Sequence, residues 1–577
     1  MTKLNKLGGV VVAALCVVIV AACSKKEEAA SAEILQFIPA ESPYVIALLD
    51  EWPEDLVEKM KPQVEEMLEA YQVVIREGLI TQLDAVPDDS DDKQDAERVK
   101  AVLEELISML SSEGLEEIGI DKHSKFAFYG NGLLPVLRIR VSDPALFDAA
   151  IERMEGKAGH QMETATLDGK TYRYIEDEDG RLILGVFGNY FVGTVAPSSF
   201  NDEQLKRVVG LTLPENSMAK SGEIAAIAKE YGFTKHFVYL IDTRRLAEPF
   251  LGTPSGLDVD FLQLVEYDAS QISDVCRQEF RGLTEIAPRM VAGYTTINAD
   301  RIDSTLVLEM RDDIAAGLKT FAAPVQGLGA DSGSLLSFGM SFDLMAIRSY
   351  YEAQLDKLEA EPFKCEAMAQ LQAGVASGRQ VLDQPIPPIV YDIRGFNAVV
   401  DDIVGLDLAS SKPPSNIDAT LLLAVKNAPA LLNLGAMFSP EIAALNLQPD
   451  GKAVVFTPKQ LAGQIETIFV ALNDDALALS IGDGASAEAS SILQASTSEK
   501  MPFMSFTMDA KRYYSMVGDA MLAAPDDDVE GLSPEARDAM RKLMVIGGEM
   551  YDRLSLDMMF TERGLELEST VTIGDGK

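Results

Sequence analysis

Two spacings of apolar residues alternate along the chain. Short runs place an apolar residue at every second position, and longer stretches place them three and four apart. The first pattern predicts half-buried strands and the second amphipathic helices. One unit recurs, an alternating run that ends at aspartate and passes into a helical stretch. YVIALLDEWPEDLVEKM has it at Asp50, FVYLIDTRRLAEPFL at Asp242, LLSFGMSFDLMAIRSYY at Asp343 and FMSFTMDAKRYYSMV at Asp509. LRIRVSDPALFDAAI is a variant at Asp143, with Pro144 suited to the first helical position. An aspartate so placed is expected to accept hydrogen bonds from the free N–H groups of the first turn, contributing about 1 kcal/mol. The shared context marks these aspartates as structural.

The order of the units indicates a duplication. Asp50, LRIRVSDPALF, the hairpin RLILGVFGNYFVGTVAP, Asp242 and the hairpin MVAGYTTINADRIDSTLVLEM follow one another in the first half. Asp343, LLLAVKNAPALL, the hairpin ETIFVALNDDALALSIGDG, Asp509 and the hairpin LSLDMMFTERGLELESTVTI follow in the second. Repeats of this kind set an architecture. The expected fold class is α+β, with two similar halves, each an antiparallel sheet of hairpins with one face covered by helices. The halves fall at residues 34–322 and 335–577, with 323–334, containing GLGADSGS, as the linker. The first half adds a helical excursion, with Val57, Met60, Val64, Met67, Tyr71, Val74 and Ile75 near helical spacing. Pro62 is expected to restart that helix. Val102, Leu103, Leu106, Ile107 and Leu110 form a partner segment, and the apolar stripe is expected to pack into the body.

The front of the chain reads differently. Lys3 and Lys6 precede an apolar run from Leu7 to Ala22 that is short for a spanning helix of about 20 residues. This is the layout of a secretory signal, residues 1–22. Val20-Ala21-Ala22-Cys23 resembles the bacterial lipobox, which implies lipidation at Cys23 and a mature chain starting there, held to a membrane by acyl chains. Ser24 follows the cysteine, where many inner-membrane lipoproteins carry aspartate, so the analogy implies the outer membrane with the body in the periplasm. Residues 23–33 form a short polar tether.

Charge and cysteine content narrow the partners. Fifty basic residues against 91 acidic ones give a net charge of −41, so counterion release cannot drive binding to nucleic acid. The excess keeps an extracytoplasmic protein soluble. Of four cysteines, Cys16 leaves with the signal and Cys23 takes the lipid. Cys276 and Cys365 remain in an oxidising compartment, where a structural disulfide is expected and two reduced, buried thiols are the alternative.

Catalytic patterns are absent. Gly482, Gly484 and Ala487 match G-x-G-x-x-A, but the strand before them belongs to a hairpin, whereas a dinucleotide site needs a parallel crossover. His123, His160 and His236 show no metal-ligand spacing, and no G-x-S-x-G elbow occurs. DDSDD and DDDVEG lack the ligand spacing of a calcium loop. No cofactor, metal or catalytic residue is assigned. The lipobox, FIPAESPYVIALLDEWPEDL and the two-half layout together resemble uncharacterised proteobacterial lipoproteins built on a duplicated domain of unknown function. That resemblance implies the architecture and brings no catalytic residues. The expected function is a non-enzymatic binding or assembly role in the envelope. A carrier or chaperone for a lipid or apolar peptide is the alternative, and a hydrolase with an unrecognised carboxylate site is a lower one.

Overall fold

The computed structural model describes residues 33–80, 83, 93–121, 123–176, 180–406, 414–457, 467–523 and 533–575. The apolar run at the front, Cys23 and nearly all of the tether lie outside the described residues. Among the described residues nineteen strands form one antiparallel sheet beside many helices, a mixed α+β fold. In chain order the strands are β1 (Tyr44–Leu48), β2 (Phe126–Asn131), β3 (Leu134–Arg140), β4 (Glu163–Leu167), β5 (Lys170–Glu176), β6 (Gly180–Phe187), β7 (Tyr190–Pro197), β8 (Phe237–Asp242), β9 (Arg289–Ile297) and β10 (Arg301–Glu309). The rest are β11 (Leu336–Ser341), β12 (Ile393–Val404), β13 (Asn416–Val425), β14 (Val454–Phe456), β15 (Ile468–Leu472), β16 (Ala476–Ile481), β17 (Met504–Asp509), β18 (Tyr551–Thr561) and β19 (Gly564–Ile573).

The centre of the sheet is the pair β10–β19, in register from Arg301↔Thr572 to Glu309↔Gly564. Outward from β10 lie β9, β8, β1, β2, β3, β7, β6, β5 and β4. Outward from β19 lie β18, β17, β11, β12, β13, β16, β15 and β14. Among the described residues no pairing joins β4 to β14, so the sheet is open.

Strand alternation places side chains on both faces, and helices cover both around β3 and β13. On one face Leu134, Val136 and Val192 pack with Ile34, Ile38, Leu205 and Val208. On the other, Leu137, Ile139 and Phe191 pack with Phe147, Ala150 and Ile151. Leu422 and Leu423 divide in the same way between two further clusters. The expectation of one covered face is therefore too simple here. Runs such as PVLRIRV and LLLAV are apolar on consecutive positions, as strands buried on both faces are.

The caps follow the sequence expectation with one exception. Asp242 accepts from Arg244 N at 3.0 Å and Arg245 N at 3.1 Å, and Asp343 from Met345 N and Ala346 N, both at 3.1 Å. Asp509 accepts from Arg512 N at 2.9 Å, and Asp143 from Ala145 N at 2.9 Å. Asp50 caps nothing, because Trp52 and Pro53 delay the next helix to Glu54–Ile75, whose N-cap is Pro53. That helix also runs through Pro62 without restarting. Pro62 is exposed, so the carbonyl left without its helical donor can turn toward water.

Helices tie the two ends of the chain together. Glu54–Ile75 packs along Pro534–Met550, with Lys542 Nζ 3.2 Å from a Glu69 carboxylate oxygen. Lys59 donates to the Ile573 carbonyl at 3.2 Å. Within residues 323–334, the connecting segment, Ala323, Val325 and Leu328 are buried. Among the described residues no helix is long and apolar enough to cross a membrane.

A disulfide joins Cys276 to Cys365 across 89 residues, with Cα atoms 4.7 Å apart. Cys276 lies in the helix Asp274–Thr284, which precedes β9, and Cys365 lies between the two helices that separate β11 from β12. The Glu279 carboxylate reinforces this clamp by accepting from Lys364 N at 2.8 Å and Cys365 N at 3.0 Å. In the chain-entropy account a loop of this length contributes on the order of 4–5 kcal/mol. Reduction is therefore expected to lower the guanidinium midpoint of unfolding. An unchanged midpoint would show that the clamp adds no stability.

Candidate functional site

The clamped helix forms one wall of an apolar groove. The opposite wall is the helix Thr243–Leu251, which starts on the Asp242 cap and turns Ala247, Phe250 and Leu251 inward. Phe280, Leu283 and Thr284 face them from Asp274–Thr284, and Tyr267, Ile272 and Ala287 complete a cavity of about 490 Å³. The frame around it is hydrogen-bonded. Arg277 donates to the carbonyls of Ile272, Leu251, Gly252 and Ala269 at 2.7–3.1 Å. Arg281 pairs with Glu248 at 2.6 Å across the mouth of the two helices.

Every hydroxyl in the lining is already engaged with backbone. Thr243 Oγ1 donates within the carbonyl cluster of Thr284, Ala287 and Pro288, nearest Ala287 at 2.6 Å. Thr284 donates to the Arg281 carbonyl at 2.9 Å, and Tyr267 to the Phe250 carbonyl at 3.2 Å. Small-molecule sites orient their ligands with a few placed polar groups. This groove offers shape and apolar surface instead. A second concavity of about 620 Å³ lies beside Asp402, Gly405, Lys511, Arg512, Met516 and Asp519 and is more polar. Arg512 closes one side of it by donating to the Asp401 carbonyl at 2.5 Å.

A cluster of ionisable groups lies at the end of β1. Asp50 sits 2.7 Å from Lys235 Nζ and 3.7 Å from Lys125 Nζ, and the Lys125 side chain is only 3% exposed. Glu51 Oε1 lies 3.2 Å from His123 Nδ1, while its Oε2 is buried without a hydrogen-bond partner. The His236 carbonyl accepts from Leu49 N at 2.7 Å and Asp50 N at 3.3 Å. Burial pushes the Asp50 carboxyl up, but the Lys235 hydrogen bond, the Glu51 N–H and the charges of both lysines outweigh it and hold it below its ordinary value. Glu51 is pushed up, chiefly by burial, against the charges of His123 and Lys125. His236 is pushed down, chiefly by burial, although Asp50 opposes this.

Two of the three histidines thus converge on Asp50 and Glu51, whereas His160 is exposed in the turn after the helix Pro144–Ala158. Among the described residues no group of His, Cys, Asp and Glu has the geometry to hold a metal ion. The cluster pairs Asp50 with two lysines at a strand end and sets Glu51 beside His123.

The glycine turn has a structural use. Gly482 and Gly484 have φ of 97° and 78°, and Asp418 accepts from Asp483 N at 2.9 Å. A Cβ on Gly482 would meet the Asp418 carboxylate at 2.0 Å. A carboxylate therefore stands where a phosphate would bind, beside a strand, β16, whose partners β13 and β15 are both antiparallel. Burial raises the carboxyl groups of Asp401 and Glu488, and the neighbouring acidic charges add to the effect in both.

No protein-family model, curated protein or solved structure matches this chain. The site must be read from its own residues. The groove had a sequence signal, the helical spacing of Ala247, Phe250 and Leu251 against that of Cys276, Phe280, Leu283 and Thr284. The cluster at Asp50 had none, because Lys125 and Lys235 come from distant segments.

Breaking a buried pair leaves an uncompensated charge and costs about 3–5 kcal/mol. Asp50→Ala is expected to destabilise by that order, since Lys125 stays buried. Because Asp50 is held low in the folded state, its contribution is present above the unfolded carboxylate pKa of about 4 and is lost as pH falls through the lower folded value. Denaturant titration of wild type and Asp50→Ala should show the gap narrowing below about pH 4. A gap independent of pH would remove the ion pair as its cause.

Proposed function

We propose that this chain is an envelope lipoprotein, anchored through acyl chains on Cys23, that acts without catalysis by seating an apolar side chain of a partner protein. The signal, the lipobox and Ser24 support an outer-membrane anchor with the body in the periplasm. We further propose that the two halves arose by duplication. The support is their strand order. From the centre, β10-β9-β8-β1-β2-β3-β7-β6-β5 and β19-β18-β17-β11-β12-β13-β16-β15-β14 pair the same sequence units in the same places.

The observation that carries the binding role is the groove at Ala247, Phe250, Phe280 and Leu283, about 490 Å³ and without a free hydroxyl. Such a socket suits a leucine, methionine or phenylalanine side chain, whose burial contributes about 1.5–3 kcal/mol. Its volume also falls in the range of about 300–1,000 Å³ typical of ligand sites, which favours a lipid or apolar-peptide carrier as the second reading.

Mass spectrometry of the protein extracted from envelope membranes in mild detergent separates the two. Acylated Cys23 with no retained molecule is expected, and a stoichiometric apolar ligand would move the assignment to the carrier. Cys23→Ser should remove the acylation. In cells, a photo-crosslinking residue at Leu283 is expected to capture one discrete envelope protein. Ala247→Trp, which fills the groove, should abolish that product, and equal crosslinking in the filled variant would exclude the groove as the seat.

A further inference from the structure

The helix Ala428–Phe438, APALLNLGAMF, carries no charge, and Glu441 is the only charged residue in 428–447. The chain as a whole is 24% charged, so several charges would be expected in twenty residues. One side of this hairpin is fixed. Ala428 and Leu447 are buried, and Leu431, Leu432 and Leu445 pack against Val425, Ile468, Val470 and Leu472. The other end projects. Met437 is 79% and Phe438 80% exposed, more than any other large apolar side chain among the described residues.

The helix Pro144–Ala158 shows what covers the analogous position. It follows β3 as Ala428–Phe438 follows β13, and it packs against the helix Lys93–Ser108. Phe147, Ala150 and Ile151 are buried there. Ala428–Phe438 instead packs chiefly against the five-residue helix Pro440–Ala444. Its tip is apolar and exposed, whereas the apolar lining of the groove described above faces inward.

We infer that Met437 and Phe438 form a second membrane contact, dipping past the headgroups to the acyl-chain boundary of the bilayer to which Cys23 is anchored. The inference rests on the lipoprotein assignment. Nineteen strands at about 4.8 Å spacing extend over roughly 90 Å along the sheet, whereas an eleven-residue tether reaches at most about 40 Å. The anchor alone therefore leaves the far half of the molecule unplaced. A chain of net charge −41 gains little from the anionic surface of a membrane, so a further contact is better made by an uncharged apolar tip than by charge.

The native thiols leave a clean probe, because Cys276 and Cys365 are bonded to each other and Cys23 is the acylation site. Phe438→Cys in the full lipoprotein, labelled with an environment-sensitive nitrobenzoxadiazole dye, would be placed in phosphatidylcholine vesicles. The expected result is blue-shifted emission, quenched by lipids brominated on their acyl chains and protected from iodide. The same dye at exposed Glu499→Cys should stay open to iodide. Equal iodide quenching at both positions would overturn the inference. A blue shift that appears without vesicles and grows with protein concentration would overturn it too, by assigning the tip to a second copy of the chain. The intact mass reports acylation of Cys23 separately. If Cys23 proves unmodified, the lipoprotein assignment fails, and a dye at Phe438→Cys that still responds to added vesicles would show that the tip binds them by itself.

Discussion

The ladder between β10 and β19 is the constraint on which the molecule depends. Each of these strands would otherwise end its side of the sheet with a nine- or ten-residue row of unpaired backbone groups, a surface prone to edge-to-edge aggregation. Pairing them satisfies both edges at once. Side chains reinforce the junction, with Ser304 Oγ 2.8 Å from Ser569 Oγ and Thr570 donating to Asp303 at 2.7 Å. The crossing helices Glu54–Ile75 and Pro534–Met550 and the Cys276–Cys365 clamp bridge the same divide. The continuous sheet, these helices and the clamp together fix the two sides relative to one another.

From that frame follow two kinds of surface with different chemistry. Where helices leave strand ends under aspartate caps, side chains pack into filled cores, and the groove at Phe250 and Phe280 is what remains between two such helices. Where Trp52 and Pro53 displace the helix start, Asp50 is released from capping and gathers Lys125 and Lys235. Neither arrangement presents an activated nucleophile beside a base. The first suits recognition of apolar side chains, and the second holds a strand end by charge.

Much of this was legible because it is local. Alternation identified the hairpins, helical spacing identified the excursion at 57–75, and the strand–aspartate–helix unit predicted the caps at Asp143, Asp242, Asp343 and Asp509. The exception at Asp50 turns on the three residues Glu51, Trp52 and Pro53 that separate it from the helix start at Glu54. The seam was not legible, since RIDSTLVLE and GLELESTVTI lie some 260 residues apart and alternation gives a strand's faces but not its neighbour. The same holds for the convergence of His123 and His236, whereas the Cys276–Cys365 bond was expected from cysteine count and compartment. The groove was not read from the sequence, because the pairing of its two helices and the engagement of its hydroxyls are tertiary facts.

Continuity of the sheet is therefore the central claim, and native-state hydrogen exchange resolved by residue tests it most directly. Amides of β10 and β19 that point into their shared ladder are predicted to exchange among the slowest in the protein, opening only with global unfolding. Rapid exchange along β10 and β19, at the rate of exposed loops, while β2, β3, β12 and β13 stay protected would contradict it. The chain would then carry two independent sheets with free edges.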